Sequence, residues 1–90
     1  MLYEYVKKIL DKSKETKVDL SVAKAMLSVG ESPEERNKLH NAFKILDGRY
    51  YSAITTLRRD GNEDKIKELC EYIEVKDKKS IEKILKELKI

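Results

Sequence analysis

The 90-residue sequence has one cysteine, one proline, three glycines, no tryptophan and no glutamine, and most of these scarcities close off a class of protein. Cys70 alone makes no internal disulfide. With His40, the single histidine, it supplies only half of a tetrahedral zinc set. The glycines stand singly at positions 30, 48 and 61, so no glycine-rich loop exists to cradle a phosphate. No stretch approaches the roughly 18 uninterrupted apolar residues of a membrane span. The opening Met1-Leu2-Tyr3-Glu4-Tyr5 lacks the basic-then-apolar layout of a secretory signal, so a cytoplasmic location is expected.

What the chain has in quantity is charge: 41% of its residues are charged, against 40% apolar. A chain of this length buries only about two-thirds of its unfolded surface, enough for one modest core but not for a two-lobed cleft. Residues 1–90 are therefore expected to form one domain. Twenty basic and 17 acidic side chains leave a net charge of +3, spread without a dominant block. Sixteen of the basic residues are lysine and eleven of the acids glutamate. Lys/Glu enrichment with few labile residues marks heat-adapted proteins, because desolvating ions costs less as temperature rises. A thermophilic source is expected.

Apolar residues recur at helical spacing almost throughout, which predicts an all-α fold: a compact single-domain bundle of five to six short helices. The first helix covers about residues 2 to 16, with Leu2, Val6, Ile9 and Leu10 as its stripe and Tyr3 and Tyr5 on its flanks. The second starts at Asp19, an N-cap type, and carries Leu20, Ala23, Met26 and Leu27 to a left-handed cap at Gly30. Ser32-Pro33-Glu34-Glu35 is the strongest start signal: Ser32 caps, Pro33 suits the first helical position, and Glu35 completes a capping box. That third helix presents Leu39, Ala42, Phe43 and Leu46 and ends at Gly48. The fourth uses Tyr50, Ala53, Ile54 and Leu57 and stops at Gly61, although Tyr50, Tyr51, Ile54, Thr55 and Thr56 all favour strands. Asn62 caps a fifth helix with Ile66, Leu69, Cys70 and Ile73. Asp77 or Ser80 opens the last, which carries Ile81, Ile84, Leu85 and Leu88.

Catalytic and metal readings are thin. Cys70 sits within an apolar stripe, where a thiol behaves as a small hydrophobe, and His40 falls on the polar side of the third helix with Arg36, Lys44 and Asp47. No enzyme is expected, and no cofactor. Counting Asp60 as position 1 of a calcium loop puts Asn62, Asp64, Glu68 and Glu71 at positions 3, 5, 9 and 12, but Lys65 replaces the glycine the bend requires. Residues 20 to 46 could form a helix-turn-helix, yet Glu34 and Glu35 would meet the DNA phosphates first. Saposin-like lipid binders resemble the chain in length and helicity, but their disulfides cannot form with Cys70 alone.

The more usable surface lies on the fourth helix. Tyr51, Thr55 and Arg58 fall along one flank at spacings of four and three, with Arg49 and Arg59 close by, so three of the four arginines gather here. Aromatic and arginine side chains anchor protein interfaces and also stack on bases or pair with phosphate. The alternative is that Tyr51 widens the core stripe and the arginines solubilise the helix end. Lys76, Lys78, Lys79 and Lys83 form a second basic patch suited to an acidic partner or a phosphate backbone. In size, Lys/Glu-rich composition, Ser32-Pro33-Glu34-Glu35 and Arg49-Tyr50-Tyr51, the chain resembles small helical accessory proteins of thermophilic archaea, such as DNA polymerase B accessory subunits. That resemblance implies a partner-binding role without catalysis. The expected function is a non-catalytic interaction module for a macromolecular partner, protein in the first instance and nucleic acid as the alternative.

Overall fold

The computed structural model describes residues 2–46 and 48–90, and the chain is all-α. Six helices follow one another among the described residues, with no strand: α1 (Leu2–Thr16), α2 (Leu20–Ser28), α3 (Pro33–Ile45), α4 (Gly48–Arg59), α5 (Glu63–Glu74) and α6 (Lys78–Glu87). Asp47, placed by the sequence in line with His40, lies outside the described residues. The chain divides into two compact units, Tyr3–Ile45 and Leu46–Ile90.

In the first unit, Val6, Ile9 and Leu10 of α1, Leu20 and Ala23 of α2, and Leu39 and Ala42 of α3 are buried, and α2 packs on α3. Helix α1 stops because Lys17 turns left-handed (φ 57°), which lets the Val18 N–H reach back to the Ser13 carbonyl at 3.2 Å. The Ser13 hydroxyl donates in return to the Val18 carbonyl at 2.6 Å. Asp19 caps α2 as expected, accepting from the Val22 N–H at 2.9 Å and the Ser21 hydroxyl at 2.7 Å. Gly30 does not form the expected helix cap. Val29 (φ −65°, ψ 124°) and Gly30 (φ 80°) are the central residues of a type II turn, closed by the Glu31 N–H on the Ser28 carbonyl at 3.2 Å. At α3, Ser32 Oγ accepts from the Glu35 N–H at 3.2 Å, which is the first half of a capping box. The Glu35 carboxylate is turned elsewhere, to the Tyr5 hydroxyl at 3.1 Å and Lys38 Nζ at 3.7 Å.

In the second unit, α4 packs on α5 and α5 on α6. The strand-favouring residues of α4 are helical because Ala53, Ile54 and Leu57 fall on one side at helical spacing and are all buried. Tyr50, expected at the centre of that stripe, is only half-buried. Gly48 opens α4 rather than ending α3. Helices α4, α5 and α6 then stop as α1 does. Gly61 (φ 72°), Lys76 (φ 59°) and Lys89 (φ 59°) turn left-handed, and the next N–H closes on Leu57, Tyr72 and Leu85 carbonyls at 2.9, 3.0 and 3.0 Å. The Asn62 side chain makes no cap bond at α5, contrary to expectation. Asp77 does cap α6, accepting from the Ser80 N–H at 3.2 Å and the Ser80 hydroxyl at 2.8 Å.

Two outcomes follow for stability. Leu69 is wholly buried, so Leu69→Ala should cost about 2–5 kcal/mol and lower Tm by ~10 °C or more in a thermal melt. The Val22 N–H and Ser21 hydroxyl hold the Asp19 carboxyl below its ordinary value. Its depressed folded pKa means that the cap's contribution is complete above the ordinary aspartate pKa and is lost as pH falls through the lower folded value. The gap in Tm between the native chain and Asp19→Ala should accordingly narrow between neutral pH and about pH 2; a gap independent of pH contradicts this.

Candidate functional site

The α4 flank is laid out as the spacing predicts: Tyr51 is 44% exposed, Thr55 and Arg59 are exposed, and Arg58 is half-buried beside them. Arg49 is different. Its Nη1 and Nη2 donate to the two carboxylate oxygens of Glu82 at 2.9 and 3.0 Å, and Nη2 lies 3.4 Å from the Ile90 carbonyl, so this guanidinium joins α4 to α6. Arg59 Nε lies 3.8 Å from Asp60 Oδ1, a loose surface pair. Tyr51, Thr55 and Arg58 remain as the part of the predicted set with no intrachain partner among the described contacts.

Of the second predicted patch, Lys76 is an exposed helix-ending residue ahead of α6, while Lys78, Lys79 and Lys83 stand exposed on α6 itself. Lys86, which the sequence reading passed over, belongs with them. Lys78, Lys79, Glu82, Lys83 and Lys86 line one open depression of about 620 Å³. A count of helical angles from Lys78 onward would have found Lys86 on that side.

Cys70 is wholly buried, and burial first, with Glu74 and Glu71 adding to it, pushes its thiol up to about 12. It is a packed neutral thiol at neutral pH. His40 is exposed on α3, with Lys24 Nζ 3.5 Å from its Nδ1. The stretch that would form a calcium loop is mostly helix: α5 begins at Glu63, so Asp64, Glu68 and Glu71 stand along a helix instead of closing around an ion. Among the described residues no group of three or more His, Cys, Asp or Glu is placed to hold a metal, and no helix is long and apolar enough to cross a membrane.

The feature the sequence reading missed is on α2. Leu20 and Ala23 are buried, but Met26, assigned to the inward stripe, is 41% exposed, and it is joined by Val22 at 43% and Val29 at 81%, with Ala25 exposed between them. Positions 22, 26 and 29 repeat at four and three, so they form one outward apolar row on the side opposite the core. Helix α2 is apolar over more than half of its circumference, with Ser21, Lys24 and Ser28 together on the remaining side, a wider apolar face than one core contact requires. The signal was present in Val22-Ala23-Lys24-Ala25-Met26-Leu27-Ser28-Val29, whose second apolar face lies outside any single stripe.

On α3, Arg36, His40 and Lys44, spaced by four, form a line of exposed basic residues. Lys24 of α2 reaches toward it, its Nζ 5.1 Å from the centre of the Phe43 ring. Compared with protein-family models, curated proteins and solved structures, the chain matches none.

The state of Cys70 has a direct readout. A thiol reagent added to the folded protein at neutral pH should leave Cys70 unmodified over the time in which the denatured chain reacts fully; rapid labelling of the folded chain contradicts a packed, protonated thiol.

Proposed function

We propose that the chain is a non-catalytic helical module that binds a protein partner through the outer face of α2. The carrying observation is the exposed row Val22, Met26 and Val29, with Ala25 between, on the most apolar of the six helices. Contiguous apolar surface of this kind marks a place that another surface covers, whereas single exposed hydrophobes such as Val75 call for no explanation. The buried, neutral Cys70 supports the absence of thiol catalysis. Tyr51, Thr55 and Arg58 on α4 offer a separate contact of the aromatic-and-arginine type.

A photo-reactive residue at position 26 should crosslink to a protein in extract of the source cells, and the product should survive nuclease. Val22→Ser with Met26→Gln should reduce capture at least tenfold while moving Tm by only a few degrees, since neither side chain belongs to the buried core. Equal capture by this variant refutes the α2 face. Tyr51→Ala with Arg58→Ala, run in parallel, reports whether the α4 flank takes part.

A further inference from the structure

Glu82 is the one acidic residue among the five that line the open depression on α6, and it is already spoken for. Both of its oxygens accept from Arg49, which holds its carboxyl below the ordinary glutamate value and so keeps it anionic and paired. Arg49 and Glu82 cancel, and Lys78, Lys79, Lys83 and Lys86 are left as four ammonium groups with no ion pair among the described residues. Lys83 also borders a smaller hollow of about 120 Å³ with Glu87 and makes no ion pair there. Four lysines thus share one side of α6, and the acid among them is paired to Arg49, which gives that helix face a local excess of positive charge.

We infer that this α6 face binds the phosphate backbone of duplex nucleic acid without regard to base sequence. Every residue lining the depression is charged; no aromatic or large apolar side chain is present to anchor a protein interface. Lysine presents a point charge instead of the planar fork that reads base edges, so the contact has affinity for phosphate and little selectivity. Lys78 to Lys86 rises by about 12 Å along the helix, and a duplex strand carries one phosphate per about 3.4 Å of its axis, so the lysine row spans about three or four phosphates. The inference is independent of the α2 face and stands or falls without it.

Fluorescence anisotropy with a labelled mixed-sequence duplex of about 20 base pairs tests it. Binding should appear at micromolar protein in low salt, and the logarithm of the association constant should fall linearly with the logarithm of salt concentration, with a slope of about −3 to −4. Each Lys→Gln change at 78, 79, 83 or 86 should reduce that slope by about 1, and the fourfold variant should bind at least tenfold more weakly with an unchanged circular-dichroism spectrum. Lys→Arg at the same four positions should retain binding. A control with Gln at Lys8, Lys14, Lys17 and Lys67, which are exposed and outside the depression, should keep the parent slope. No binding at about 100 µM protein in low salt overturns the proposal, as does equal weakening by the control variant. Tighter binding to polyglutamate than to the duplex also overturns it, by identifying an acidic polypeptide as the occupant.

Discussion

None of the six helices, nine to fifteen residues long, is stable by itself in water, so each persists only while its inner face is covered. That dependence explains why α4 is helical in spite of Tyr50, Tyr51, Thr55 and Thr56. The preference of those side chains for strands is a fraction of a kcal/mol per residue, on the order of what covering one methyl group returns, while Ile54 and Leu57 are buried almost completely only at helical spacing. Cys70 follows the same logic: its place beside Leu69 in the α5 stripe makes it packing material, and its depressed reactivity is a by-product.

The fold was largely legible because periodicity and caps agree. The stripes of α1, α5 and α6 and the caps at Asp19, Ser32 and Asp77 stand where the residue types place them. What escaped was set by competition between neighbours. The Glu35 carboxylate has two uses, and Tyr5, thirty residues away in sequence, draws it from the cap. Gly30 has two uses as well, and the turn after Val29 took it. Neither choice can be made from local residue types.

The surfaces divide in a parallel way. Spacing alone places Tyr51, Thr55 and Arg58 on one flank, and the exposure of Tyr51 and Thr55 agrees. It could not reveal that Arg49 is bound to Glu82, since the two are 33 positions apart, nor that this pairing neutralises the one acid lining the α6 depression. The outward apolar row of α2 was obscured for a different reason: a helix apolar on two sides offers no contrast from which to choose the inner one.

Lys17, Lys76 and Lys89 hold a backbone conformation that suits glycine, which costs each of them on the order of 1 kcal/mol. Each also places a cation at the negative pole of the helix it ends, where the aligned peptide dipoles favour positive charge by a few tenths of a kcal/mol or more. The two effects answer to different variables. Added salt screens the dipole attraction and leaves the steric strain untouched, so at these three helix ends brine removes the favourable effect and keeps the cost.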